Sequence, residues 1–182
     1  MRWDVIKSEI IYRCRIFSVR RDQSRSQRSG QMHDFHVLET ADWVNVVPLT
    51  NDGHVVMVRQ FRHGIRDLTL EVPAGLIDES DATPVDAARR ELREETGYTS
   101  GRLAPLGIVH PNPAMMNNRC HMFVAYGSEP AGEPQWDATE ELAVEVVPLD
   151  QVAELIRCGA VSNALTVVAF HLLSIAGGEI GA

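Results

Sequence analysis

Three glutamates fall on one side of a short predicted helix, and their spacing restricts what the surrounding chain can be. Glu91, Glu94 and Glu95 occupy positions i, i+3 and i+4, so on a helix their side chains emerge as neighbours. Like charges at this spacing repel each other. The cluster is therefore favourable only where water solvates it or a cation neutralises it, and Mg²⁺ typically binds a few carboxylates together with substrate phosphates.

Helix-capping signals set the limits of this helix. Thr83 suits the N-cap, Pro84 suits the first helical position, and Gly97 suits the C-terminal stop. They predict a helix from Pro84 to Thr96, with all three glutamates in its second half.

A charge run of this kind is usually a solvated helix face, and helical geometry weighs against that alternative here. At about 100° per residue, Val85, Ala88 and Leu92 align as the apolar side of the helix. Glu91 and Glu95 lie next to that side. The carboxylates thus flank the buried face, where a cleft would form, and we interpret them as a metal–phosphate site.

The rest of the chain alternates between short strand patterns and turn signals. Asn51-Asp52-Gly53 is a strong hairpin turn signal between two apolar runs. Helices and strands mix without regular βαβ alternation, so we expect mixed sheets with helices packed on them. The predicted strands are 5–12, 15–20, 33–39, 43–49, 54–60, 68–72, 107–110, 120–126 and 144–147, and the predicted helices are 84–96, 149–158 and 163–175.

The segment 21–30 is polar and basic. It is either a patch for phosphates or a partner, or the exposed tip of a hairpin, and we favour the hairpin tip.

Composition narrows the class of protein. A chain of 182 residues fits one domain with a small appendage, and a net charge of −8 argues against nucleic acid as the main partner. The odd number of cysteines without metal-ligand spacing indicates a reducing compartment. With no leader and no apolar run of membrane-spanning length, we expect a cytoplasmic protein without a membrane partner.

The residues from Arg90 to Tyr98, Arg-Glu-Leu-Arg-Glu-Glu-Thr-Gly-Tyr, match the second half of the box of the Nudix hydrolases at every defined position. The chain therefore resembles that family, and the resemblance implies a diphosphate-cleaving enzyme that uses Mg²⁺ or Mn²⁺. It also implies that Glu91, Glu94 and Glu95 hold the metal, with help from the backbone carbonyl of Ala74 or Gly75.

The first half of the box departs from the family pattern. Ala82 stands where the family has its first Glu, and the box glycine comes one residue early, at Gly75. In the family that Glu pairs with the box arginine, here Arg90. Asp81 and Glu79 are both candidates to replace it, and the departure puts the support of the helix in question more than the metal ligands.

Residues outside the box resemble the ADP-ribose and nucleotide-sugar branch of the family. Gln60-Phe61-Arg62 is similar to its Gln-x-Arg element, and Glu71-Val72-Pro73-Ala74-Gly75 to its Glu-x-Pro-Ala-Gly element. The resemblance implies that Arg62 and Glu71 contact the substrate or shape the metal site. The alternative is that Arg62 caps a strand and Glu71 pairs with a surface base.

The loop 111–119 is a further candidate for substrate binding. Pro113, fifteen residues after Tyr98, matches a marker of ADP-ribose hydrolases, although prolines also punctuate loops. Met115 and Met116 are suited to line a pocket for the base or sugar, or to form the core of the loop.

Hydrolysis also needs a group that activates water. In the nucleotide-sugar branch a glutamate on a late loop is the general base, and the loop 137–141 lies in the corresponding region. Glu140 and Glu141 are both candidates, and either one is equally well explained as a solvated loop residue.

The resemblance also implies a fold and a domain organisation. We expect an α+β protein, with the α/β/α sandwich and mixed sheet of the Nudix family in residues 43–182. Residues 1–42 are expected to form an N-terminal antiparallel β-meander, which in the nucleotide-sugar branch often builds a homodimer.

The leading hypothesis is a pyrophosphohydrolase that cleaves ADP-ribose or a related nucleotide sugar. One alternative is a hydrolase of nucleoside triphosphates or dinucleotide polyphosphates. The other is a non-catalytic sensor that binds ADP-ribose, which the altered position Ala82 favours.

Overall fold

The computed structural model describes residues 2–136 and 141–177. It divides the chain into two compact units. The first comprises Met1–Asp42 and His110–Arg119, and the second comprises Trp43–Val109 and Cys120–Ala182.

The first unit is a three-stranded antiparallel sheet of β1 (Trp3–Arg13), β2 (Ser18–Ser26) and β3 (Met32–Glu39), in the order β1-β2-β3. The prediction of an exposed hairpin tip over 21–30 is correct only for its last residues, because β2 continues through Ser26 and the exposed turn covers 27–30. The basic residues of β2 have acidic partners, Arg21 with Glu9 on β1 and Arg20 with Asp22. These pairs make a strand stable although its composition resembles a loop.

The segment 110–119 joins this sheet at its β3 edge. The Leu38 N–H donates to the carbonyl of Met115 at 2.8 Å, and the Asn117 N–H donates to the carbonyl of Leu38 at 3.2 Å. The Asn118 side chain donates to the carbonyl of Ala41 at 3.2 Å. The loop thus covers backbone groups that an edge strand would otherwise expose.

The second unit is built on a seven-stranded mixed sheet in which β4 and β10 are parallel neighbours and the other pairs are antiparallel. The strand order is β12-β5-β4-β10-β9, with β6 paired to β5 and β7 paired to β4; β8 and β11 form a separate pair. The elements are β4 (Trp43–Leu49), β5 (His54–Arg62), β6 (Asp67–Glu71), β7 (Ala74–Leu76), α1 (Pro84–Thr96), β8 (Tyr98–Thr99), β9 (Arg102–Val109), β10 (Cys120–Tyr126), β11 (Glu129–Pro130), β12 (Leu142–Pro148), a 3₁₀ turn (Leu149–Gln151), α2 (Val152–Arg157) and α3 (Ala164–Ile175).

Two apolar clusters cover the two faces of this sheet. On one face Val44 and Val46 of β4 pack with Ala88 and Leu92 of α1. On the other face Val47, together with β5, β6 and β10, packs against α3. Helices on both faces of a mixed sheet make an α/β/α sandwich, and the predicted α+β fold with an N-terminal antiparallel meander is confirmed.

The predicted bounds of α1 are also confirmed. The Thr83 hydroxyl accepts the Asp86 N–H at the N-cap, and the N–H of Gly97 donates to the carbonyl of Arg93. The predicted helix 149–158 is shorter, because it begins with a 3₁₀ turn. Among the described residues, no helix is both long and apolar enough to cross a bilayer.

Gly97 carries a constraint that a side chain would break. Its φ is 73°, in the left-handed region, and a Cβ there would lie 2.2 Å from the carbonyl oxygen of Gly132. We expect Gly97→Ala to lower the free energy of unfolding by about 3 kcal/mol, from about 1–2 for the backbone conformation and the rest for the contact. Urea denaturation measures it.

Substitutions at two other glycines separate the cost of the backbone conformation from the cost of the contact with Gly132. Gly53 has a φ of 81° and an open surrounding, so Gly53→Ala should cost only about 1 kcal/mol. Gly101 has neither constraint, so Gly101→Ala should stay within about 0.5 kcal/mol of the wild type. Equal losses at Gly97 and Gly53 would contradict the contact with Gly132.

Candidate active site

Strand β7 and helix α1 meet at backbone contacts that need a glycine. Pairing of β7 with β4 places Gly75 opposite Val44. The N–H of Ala74 donates to Glu95 Oε2 at 2.9 Å. A Cβ on Gly75 would lie 2.0 Å from Glu91 Oε1, so only glycine allows the strand and the Glu91 carboxylate to approach this closely.

The guanidinium of Arg90 connects the two ends of the box. It donates to both carboxylate oxygens of Asp81, at 3.1 and 2.8 Å, and to the carbonyl of Leu76 at 2.9 Å. Its Nη1 donates to Glu91 at 2.8 Å and to Glu94 at 3.1 Å. Arg90 therefore ties α1 to the segment that leads into it and to β7.

Asp81 is the acid that pairs with Arg90, and Glu79 is exposed. The Asp81 carboxylate also accepts the N–H of Asp78 at 2.9 Å. The hydrogen bonds from Arg90 outweigh partial burial and lower the pKa of Asp81, and the bonds to Asp81 raise the pKa of Arg90. The side chain at Ala82 is not needed for this ion pair, because the preceding residue supplies the carboxylate.

The three glutamates differ in their surroundings. Glu91 and Glu95 are buried, while Glu94 is half-buried. Glu91 and Glu94 face the same Arg90 nitrogen, and Glu95 faces the Ala74 amide. Within the described residues, no group of three or more acidic, histidine or cysteine side chains converges as a set of metal ligands in this arrangement.

The donor chemistry nevertheless fits a hard divalent cation. The three glutamates of α1 offer carboxylate oxygens, and the backbone of Gly75 lies close to the Glu91 carboxylate. Mg²⁺ and Mn²⁺ prefer such oxygen ligands.

A cavity of about 320 Å³ opens beside β7. Its polar wall includes Arg62 and Glu71, the last residues of the antiparallel strands β5 and β6. Its residues are Trp43, Asn45, Arg62, Glu71, Ala74, Gly75, Leu76, Asn163 and Leu165. The cavity therefore joins the Ala74–Gly75 strand to a basic side chain, an arrangement suited to a diphosphate.

Glu71 is a buried carboxylate with several donors. Both Arg62 nitrogens Nε and Nη2 donate to it, at 2.8 and 2.7 Å, and the Thr69 hydroxyl and Asn163 Nδ2 donate as well. Burial alone would raise the pKa of Glu71, but these hydrogen bonds outweigh it and hold the pKa below its usual range. The alternative prediction, that Glu71 pairs with a surface base, is therefore correct in part. The base is Arg62, which lines the cavity.

The structure brings some of the predicted residues together and not others. Arg62 and Glu71 line the cavity with Ala74 and Gly75. Pro113 and Met115 belong to the first compact unit, so their part in substrate binding stays a prediction.

Only one of the two candidates for the general base lies in the described part of the chain. Glu140 lies outside the described residues. Glu141 is exposed and directly precedes β12. The choice between them also stays a prediction.

Five of the described residues that line the cavity were not found from the sequence: Trp43, Asn45, Leu76, Asn163 and Leu165. The sequence pattern predicts only a strand at Trp43 and Asn45 and only the start of a helix at Asn163. An asparagine at an N-cap has a second polar group, the side-chain NH₂, and that was the one available signal for Asn163.

The ion pair of Asp81 predicts a pH dependence of stability. Because the folded pKa lies below its ordinary value of 3.8, the stabilisation is complete above that value and disappears as the pH falls through the folded pKa. At pH 7, Asp81→Asn should lower the free energy of unfolding by about 2 kcal/mol. The difference from the wild type should shrink as the pH falls below 3.8 and close once the pH is below the folded pKa of Asp81, measured by denaturation at a series of pH values.

Asp78→Asn is the matched control. Asp78 is exposed and lies 3.6 Å from the same guanidinium, so its loss should change stability by less than about 0.5 kcal/mol. An Asp81→Asn difference that stayed constant with pH would rule out the ion pair as its source.

Comparison with known proteins agrees with this site. The sequence model of the NUDIX domain matches residues 40–164. The ADP-ribose pyrophosphatase of Mycobacterium tuberculosis (strain ATCC 25618 / H37Rv) is 28% identical over 166 residues, covering 91% of this chain and 80% of that protein. The ADP-ribose pyrophosphatase of Bacillus subtilis (strain 168) is 31% identical over 148 residues, covering 81% and 80%.

A solved structure described as an ADP compounds hydrolase has the same fold. It superposes with a TM-score of 0.84 at 23% identity and covers 98% of each chain. The domain match spans well over half of the sequence and includes β7, α1 and the cavity residues up to Asn163. The chain belongs to the Nudix hydrolase family.

Proposed function

We propose that this hydrolase cleaves the diphosphate of ADP-ribose or a related nucleoside diphosphate sugar. The observation that carries the proposal is the cavity beside β7, where Arg62 stands across from the glycine strand that contacts Glu91 and Glu95. The names of the relatives support the same substrate class. Water would add across one P–O–P linkage and give a nucleoside monophosphate and a sugar phosphate.

The proposed metal ligands are Glu91, Glu94 and Glu95, together with the backbone carbonyl of Ala74 or Gly75. When bound there, Mg²⁺ or Mn²⁺ supplies charge neutralisation on the diphosphate and lowers the pKa of water. Arg90 keeps Glu91 and Glu94 close together through its bonds to both carboxylates.

Other residues orient the substrate and move the proton. Arg62 would donate to the diphosphate oxygens and so hold the substrate in the cavity. Glu140 or Glu141 would take the proton from the attacking water. Trp43 and Leu165 give the cavity apolar surface, which suits the ring of a sugar or base.

Cleavage of a substrate panel tests this function. The panel contains ADP-ribose, other nucleotide sugars, dinucleotide polyphosphates and nucleoside triphosphates, each with Mg²⁺ and with a chelator, and products are read as phosphate released by a coupled phosphatase. We expect metal-dependent cleavage of ADP-ribose or another nucleotide sugar. Selective cleavage of triphosphates or dinucleotides would contradict the substrate class, and binding without any turnover would favour the sensor.

The ion pair between Asp81 and Arg90 supports an enzyme over a sensor. The altered position Ala82 was the feature that favoured the sensor. With Asp81 in contact with Arg90, α1 keeps its link to the preceding segment.

We expect Glu95→Gln to lower kcat by several orders of magnitude, because a ligand charge is lost. The fold should persist, since the amide oxygen still accepts the Ala74 N–H that Glu95 now accepts. Steady-state rates and thermal unfolding measure the two effects. Glu154→Gln, which removes a charge paired with Arg157 on the surface of α2, is the control, and equal rates in both variants would exclude Glu95 from the mechanism.

We also propose that the N-terminal sheet joins two copies of the chain. Trp3, Val5 and Phe35 are exposed, and the rings of Trp3 and Phe35 lie 5.1 Å apart. Exposed apolar clusters of this kind mark interaction surfaces. Sedimentation velocity should give the mass of a dimer, with Phe35→Ser shifted towards the monomer; a monomeric wild type would refute the proposal.

A further inference from the structure

The carboxylate of Glu71 is fully used by protein partners. Oε1 accepts from Arg62 Nε and the Thr69 hydroxyl, and Oε2 accepts from Arg62 Nη2 and Asn163 Nδ2. A carboxylate offers about four lone-pair sites, and Glu71 is 2% exposed. Its oxygens are therefore occupied by Arg62, Thr69 and Asn163 and are poorly suited to bind a substrate directly.

Asn163 is held in a single orientation by its second role. Its Oδ1 accepts the N–H groups of Leu165 and Thr166, at 2.9 and 3.1 Å, and so caps α3. Rotating the amide by 180° would lose both bonds. Its Nδ2 is thereby directed at Glu71 Oε2, 2.9 Å away.

The two Arg62 bonds depend on the position of that carboxylate. Nε and Nη2 bond to different oxygens of Glu71, a two-point contact that fixes the plane of the guanidinium. The Arg62 side chain is 42% exposed and lines the cavity. Holding an arginine this exposed in one orientation costs side-chain entropy, and the two bonds to Glu71 contribute to holding it.

We propose that Asn163 is a positioning residue for the reaction. Through Glu71, it fixes the Arg62 guanidinium in the orientation that binds the substrate diphosphate, and Glu71 is likewise a positioning residue rather than a substrate ligand. The inference rests on the proposed function, because Arg62 is taken to bind the diphosphate there.

Asn163→Ser tests the inference. Serine is also a good N-cap, so α3 should persist, but the donor to Glu71 is lost. With ADP-ribose as substrate, we expect KM to rise about tenfold and kcat to change less than about threefold, because misplacing a substrate-orienting group weakens binding. Asn163→Asp is the second variant; it keeps the cap, places a carboxylate against Glu71, and should raise KM at least as much.

Two controls distinguish positioning from a general weakening of the fold. Thr166→Val removes the hydroxyl that accepts the Val72 N–H but leaves the Glu71 carboxylate untouched, so KM should stay within about twofold of the wild type. In an Arg62→Ala background, Asn163→Ser should have no further effect on KM, because the residue through which it acts is gone. A tenfold rise that persisted in that background would overturn the inference.

A readout independent of turnover is the Arg62 Nε–H signal in ¹⁵N–¹H spectra, assigned by its loss in Arg62→Lys. We expect a resolved signal in the wild type that shifts or broadens in Asn163→Ser but not in Thr166→Val. An unchanged signal in Asn163→Ser would overturn the inference whether or not the protein is active. If the signal changes in Asn163→Ser but the wild type cleaves no substrate of the panel, the proposed function is refuted and the positioning of Arg62 by Asn163 stands.

Discussion

The ion pair between Arg90 and Asp81 is the interaction on which the candidate site depends. Arg90 lies on α1, yet its bonds reach the preceding segment at Asp81, strand β7 at Leu76, and the two carboxylates of Glu91 and Glu94. Without Asp81, the Arg90 guanidinium would pair only with the glutamates proposed as metal ligands and with the more distant Asp78. Asp81 thus sets the position of the positive charge relative to the acidic cluster.

A second charged pair, Arg62 with Glu71, lines the cavity beside β7. Glu71 and Arg62 are held by the ends of β5 and β6 and by the start of α3, whereas Arg90 and its partners are held by α1. Between these pairs, β7 contributes little side-chain volume, and its backbone contacts Glu91 and Glu95. The sheet therefore positions two independently supported groups around one strand of Ala74, Gly75 and Leu76.

Local signals predicted the elements whose formation depends on local chemistry. The caps Thr83 and Gly97 set the bounds of α1, and the apolar runs of β4 and β10 set theirs. Strand β2 was missed in part because its stability comes from cross-strand partners such as Glu9, which composition does not reveal. Strand β7 was missed because three residues become a strand only by pairing with β4, far away in sequence.

In the candidate site too, local patterns predicted some residues, while others depend on contacts that are distant in sequence. The helix spacing identified the glutamates, and a resemblance in the flanking residues identified Arg62 and Glu71. The choice of Asp81 over Glu79 needed the geometry of the turn before α1. The role proposed for Asn163 depends on a contact with Glu71 that spans 92 residues of sequence, which no local pattern shows.

The central claim is that α1 and β7 together form a divalent-metal site, and Mn²⁺ binding followed by electron paramagnetic resonance tests it directly. The comparison is between the wild type, Gly75→Ala, whose Cβ would displace the Glu91 carboxylate, and Gly64→Ala, whose Cβ would meet open space. The account predicts that the wild type and Gly64→Ala bind Mn²⁺ equally and that Gly75→Ala binds it at least about tenfold more weakly. Equal binding by all three, or no binding by the wild type, would contradict it.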